Sequence, residues 1–174
     1  MSRTTKLASS RRNVLLSLGL ALPLVCALPS AERSARAAER VTLAVFVAKD
    51  SALQNLKMTE LRRIFTNADD SGFSGQRSVP FNHTARSGDR VGFDRTVLRM
   101  DPDEVSRFWI DRKIRGLPGP PRAVDSLSAL LRLVSRTTAG VGYARPNQVT
   151  NEVRVIRIDG KLPSESGYPI SFSE

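Results

Sequence analysis

The sequence predicts an α/β domain, a mixed sheet flanked by helices. Three observations predict it. The run VTLAVFVA at 41–48 is β-branched, aromatic and almost wholly apolar. Such a run reads as a strand buried on both faces. Leu127, Leu130, Leu131 and Val134 recur at i, i+3, i+4 and i+7, the spacing of one helical face. Strand-like and helix-like segments alternate along the chain, which argues for two or three packed layers.

The elements follow in order. TELRRIFT at 59–66 places Leu61, Ile64 and Phe65 on one face of a helix. NADDSGFSGQ at 67–76 is loop by composition, and the adjacent acids Asp69 and Asp70 read as a solvated turn. RSVPFN at 77–82 is a short strand, with Pro80 pointing to a sheet edge or an early end. A helix from about 88 to 100 carries Phe93, Val97 and Met100 on one side. The next helix opens at Asp101-Pro102-Asp103-Glu104: an acid to cap, a proline for the first position, and negative charge for the positive helix end. Val105, Phe108 and Trp109 are its expected buried face, and Gly116 its stop. GLPGPP at 116–121 is a rigid loop, VGYA at 141–144 a strand, and EVRVIRID at 152–159 the expected last strand. Residues 161–174 read as a loose polar tail.

The first 37 residues have the three parts of a cleavable export signal: Lys6, Arg11 and Arg12, then the uncharged VLLSLGLALPLVCAL at 14–28, then Ala35-Arg36-Ala37. The apolar run is shorter than the ~20 residues a membrane span needs. SRRNVL at 10–15 resembles a twin-arginine signal and favours that route over the general one. Cys26 follows the bulky Val25, which argues against a lipid anchor there. The domain organisation is therefore a signal at 1–37, an α/β domain at 38–160 and the tail at 161–174.

Charge and cysteine content narrow the function. The whole chain carries 27 Lys and Arg against 17 Asp and Glu, a formal +10. Removing 1–37 takes away six basic residues and one acidic residue, leaving 21 and 16, a net +5. These charges are interspersed, which argues for a solvated surface and against a nucleic-acid partner. The only cysteine lies in the signal, so the mature domain has no disulfide. With one histidine and no cysteine, a soft-ligand metal centre is excluded there. No Walker loop, dinucleotide loop or GxSxG elbow is present. His83 and Ser87 lack an obvious orienting acid, so no enzyme and no cofactor are expected.

The informative segment is NHTARSGDR at 82–90, which leaves a strand and enters a helix. Ser87 and Gly88 fall at the helix start, where the first backbone N–H groups lack intrahelical partners. Gly88 lets a ligand approach the backbone. Ser87, Thr84, His83, Arg86 and Arg90 add donors and positive charge. Together these six residues form a candidate oxyanion site.

The ordered set LRRIFTN (61–67), VPFNHTARSG (79–88), the helix with Phe93 and Leu98, and AGVGYA (139–144) resembles the phosphate-binding subunit of phosphate ABC transporters. The resemblance covers roughly 41–158. It implies a single lobe like a periplasmic binding protein type II domain, an exported or periplasmic setting, phosphate or another small anion as ligand, and an ABC transporter or other periplasmic protein as partner. Family members have two lobes closing on phosphate; this chain holds material for one. The family places an arginine where His83 stands and a threonine where Asp89 stands, so Ser87 and Gly88 alone carry over cleanly. The alternative reading keeps the lobe as a protein–protein interaction module with no small-molecule ligand.

Overall fold

The structure is a computed structural model that describes residues 39–67 and 78–173. The expected signal at 1–37 and the Asp69-Asp70 turn lie outside the described residues. Residues 37–174 form one compact unit.

The apolar run at 41–48 is an extended segment in two parts. β1 (Arg40–Thr42) and β2 (Ala44–Ala48) flank Leu43, and every residue from Leu43 to Ala48 is fully buried. Then come β3 (Asn55–Leu56), α1 (Met58–Thr66) and β4 (Val79–His83). Next are α2 (Gly88–Phe93), α3 (Pro102–Ile114), β5 (Arg122–Val124), α4 (Leu127–Ser135) and β6 (Gly140–Ala144). β7 (Val153–Val155), β8 (Arg157–Ile158) and β9 (Ser171–Ser173) complete the chain. The central sheet is mixed, in the order β5-β4-β6-β2-β7. β4 runs parallel to β5 and β6, while β2 is antiparallel to β6 and β7.

Strand side chains alternate between faces, and this alternation splits the core in two. Val45, Val47, Val141 and Tyr143 face α1 and α2, joining Leu61, Phe65 and Phe93. Phe46, Phe81 and Ala144 face α4, joining Leu130, Leu131 and Val134. The result is three layers, with helices on both faces of the sheet. The stripe at 127/130/131/134 lies against the sheet as its spacing requires. Gly142 is a point of close approach, since a Cβ there would come within 3.0 Å of the Phe46 ring and of Val134.

Several elements differ from the sequence expectation. Pro80 sits inside the sheet, between β5 and β6, not at an edge. Val79 N–H donates to Ala139 O on the β6 side at 2.8 Å. By alternation Pro80, which has no N–H, faces the β5 side, where pairing begins only at Phe81. The helix expected over 88–100 changes pitch: α2 is α-helical, Asp94–Leu98 is π-helical, and Arg99 ends it in the left-handed region at φ 59°.

α3 is capped as its sequence predicts. Asp101 Oδ1 accepts from Glu104 N–H at 2.8 Å, and Gly116 ends the turn at φ +67°. Its burial is another matter. Val105 is buried, but Phe108 and Trp109 are only half-buried, with the Arg112 guanidinium over both rings.

The expected strand at 152–159 is two strands. β7 extends the central sheet, whereas β8 pairs with β3. The stretch read as a loose tail is tied into the domain. Tyr168 and Ile170 are buried, and β9 pairs antiparallel with β1. Phe172 of β9 lies over Gly92 of α2, so closely that no Cβ would fit between them.

Candidate anion-binding site

β4, β5 and β6 run parallel and end at the same side of the sheet. In open α/β sheets, the crevice beyond the carboxyl ends of the strands is where ligands bind. The segment 83–90 leaves β4 at that end. A turn closes it, with Ser87 N–H donating to Thr84 O at 3.0 Å. Ser87 then caps α2 by position, with extended backbone (φ −68°, ψ 133°), and its carbonyl accepts from Val91 N–H at 3.0 Å. Its hydroxyl makes no capping bond within the helix. The first helical N–H groups and this hydroxyl therefore meet at one helix start, as the sequence predicts.

The six expected residues divide into groups. Ser87 and Thr84 are half-buried, Gly88 and Arg86 exposed, and these four lie on the turn and helix start. His83 ties β4 to β6, its Nε2 lying 2.9 Å from Tyr143 O and its ring edge-on to the Tyr143 ring.

Arg90 is not a surface donor. Its side chain is buried beneath the turn, Nε donates to Asp94 Oδ2 at 2.6 Å, and one terminal N–H donates to His83 O at 3.4 Å. The guanidinium thus fastens the end of β4 to α2. Burial pushes the Asp94 carboxyl above its usual pKa, with Arg90 opposing that rise. The Tyr143 hydroxyl, also pushed up by burial, donates to Asn82 Oδ1, and its ring stacks on Phe93 at 3.8 Å. The floor under the turn is therefore buried and tied together by these contacts.

Arg145 is the residue that sequence reasoning missed. It directly follows β6, and its Nε donates to Asp89 Oδ1 at 2.9 Å. The negative charge of Asp89 beside the helix start is thus held in an ion pair. The available signal was positional: residues just past two neighbouring parallel strands meet at one end of the sheet. Among the described residues no cluster of His, Cys, Asp and Glu could hold a metal ion. Nor is any helix among them long and apolar enough to cross a membrane.

The fold is that of a lobe from the substrate-binding proteins of phosphate ABC transporters. An ABC-type phosphate transport receptor from Vibrio cholerae matches with a TM-score of 0.59 at 21% identity, over 76% of this chain and 54% of that one. A phosphate ABC transporter substrate-binding protein from Clostridium perfringens, solved with bound phosphate, matches with a TM-score of 0.60 at 18% identity, over 77% and 54%. PstS from Borrelia burgdorferi matches with a TM-score of 0.57 at 13% identity, over 77% and 55%. The chain spans about half the length of these structures. No protein-family model matches it, and no curated protein matches it in sequence.

Proposed function

We propose that this is an exported, non-enzymatic solute-binding-like protein whose single lobe binds phosphate or another small oxyanion weakly. Its partner is then an ABC transporter or another periplasmic protein. One observation carries the reading: the uncapped Ser87 hydroxyl and the start of α2 converge at the carboxyl end of three parallel strands. The ligand would accept bonds from Ser87, from the backbone at Gly88 and from Thr84, with Arg86 and His83 assisting. Arg90 would hold the turn in shape without touching the ligand.

Contacts from this turn alone leave much of the anion in water, where they are weakened by the higher dielectric. The expected affinity is about millimolar, near −4 kcal/mol. Titration of the mature chain with inorganic phosphate, followed by amide NMR, tests this. Shifts centred on residues 83–90 support it; shifts confined to other residues would falsify it.

A second reading makes the lobe an interaction module with no small-molecule ligand. It is favoured by α3, where Ile110 is 58% and Ile114 80% exposed, with Leu117 beyond the helix 45% exposed. Ile110 and Ile114 lie on the side of α3 opposite Val105, so the helix offers apolar surface in two directions. The occupant would be a second copy of the chain, which would bring the lobe count to that of the two-lobed family. Sedimentation equilibrium of wild type and Ile114→Asp tests it. A wild-type monomer at high concentration would remove this reading.

A further inference from the structure

α4 and β5 border a cleft of about 350 Å³, lined by Arg122, Arg132 and Arg136 over Ala129 and Leu133. None of the three arginine side chains makes a hydrogen bond or ion pair with any described residue. Arg132 and Arg136 stand four apart on one helix, an arrangement in which like charges repel. The negative end of α4 accounts for those two. It does not account for Arg122, which arrives from the neighbouring strand at the same opening. Arg132 also borders an adjoining cleft whose lining includes Glu152.

We propose that this cleft is a second anion site, for an organic phosphate whose apolar body rests on Ala129 and Leu133. Each guanidinium presents a planar fork of donors. A carboxylate offers two oxygens, both in one plane. The terminal oxygens of a phosphomonoester point in different directions and accept from three forks at once. The apolar floor favours an ester over inorganic phosphate, because it gains by burial only when a carbon group covers it. The cleft lies on the α4 face of the sheet, away from Ser87, and the proposal does not depend on the reading of residues 83–90.

Phenyl phosphate is the probe, titrated into the full chain and followed by backbone and arginine side-chain NMR. Shifts are expected at Arg122, Ala129, Leu133 and Arg136, and binding there should be about tenfold tighter than for inorganic phosphate. Arg122→Gln and Arg136→Gln should each weaken it by roughly tenfold, as the loss of one charged bond predicts. Ser87→Ala should leave it unchanged. The site is overturned if Arg122→Gln has no effect, if benzyl alcohol gives the same shifts, or if Ser87→Ala abolishes binding. Vesicles of phosphatidylglycerol distinguish the sources of the phosphate. Retention that needs the three arginines assigns it to a lipid headgroup. No retention, with phenyl phosphate still bound, assigns it to a free ester. Both results leave the site standing.

Discussion

Arg145 and Asp89 form an ion pair across the gap between the ends of β6 and α2, with Nε to Oδ1 at 2.9 Å. Asp89 keeps only 13% of its side chain exposed, so water screens the pair incompletely. Arg145→Gln should uncover the aspartate charge beside the helix start and weaken phosphate binding. Asp89→Thr removes that charge and adds a donor, so binding should tighten. Ser87→Ala should weaken it by about 1.5–3 kcal/mol, the range for a bond to a charged group. Calorimetry on the three variants decides the order. Equal affinities throughout would take the site away from this turn.

Leu130 is fully buried against the sheet in the cluster with Phe46 and Val134. Leu130→Ala should cost about 2–5 kcal/mol, the transfer loss plus the cavity left behind. A urea denaturation midpoint corresponding to less than about 1 kcal/mol would show that this cluster collapses around the gap.

Asp94 titrates against burial. Its folded pKa lies above the ordinary aspartate value, chiefly through desolvation, so its proton is held more tightly in the folded chain than in the unfolded one. The contribution of this group to stability is therefore full below the ordinary aspartate value of 3.8 and falls as pH rises through the folded pKa. NMR of the side-chain carboxyl carbon should show a midpoint above the ordinary aspartate value of 3.8. Asp94→Asn removes the titrating group, so the fall in stability through that range should disappear. An Asp94 midpoint at or below 3.8 would contradict the direction.

Gly92→Val should separate β9 from α2. The added side chain would occupy the space now filled by the Phe172 ring. Amide exchange at residues 171–173 should then accelerate while α4 remains protected. Unchanged protection at β9 would show that Phe172 can turn aside at no cost.

Export makes a separate prediction. Periplasmic protein should have the mass of a chain beginning near Ala38, and replacing Arg11 and Arg12 by lysine should block export by the twin-arginine route. A precursor-sized mass would end the signal reading, and continued export of the lysine variant would return the case to the general route.

Much of the fold was legible because its signals are local. The β2 run, the α4 stripe, the Asp101 cap and the Gly116 stop each depend on neighbours within a turn or two. The misreadings share a cause as well. Pro80 in an inner strand, the division of 152–159 between two sheets, and β9 paired with β1 all depend on partners far along the chain. α3 misled in another way: its caps were local and correct, but nothing nearby could show how little of Phe108 and Trp109 the domain would cover. At the site, the Ser87 turn was readable, and so in principle was the Arg90–Asp94 pair at i, i+4. Arg145 beside Asp89 required knowing that β4 and β6 are parallel neighbours.

The pairing of β9 with β1 also sets the order in which the molecule can complete itself. Thr42 and Ser171 approach within 3.3 Å across 129 positions of sequence. Contacts of such separation form late, because the closure entropy of the intervening loop must be overcome first. During synthesis the first strand exists long before the last one, and β1 must wait with an unpaired edge. The pairing of β9 with β1, with Phe172 over Gly92, therefore belongs among the late steps by which the lobe is completed.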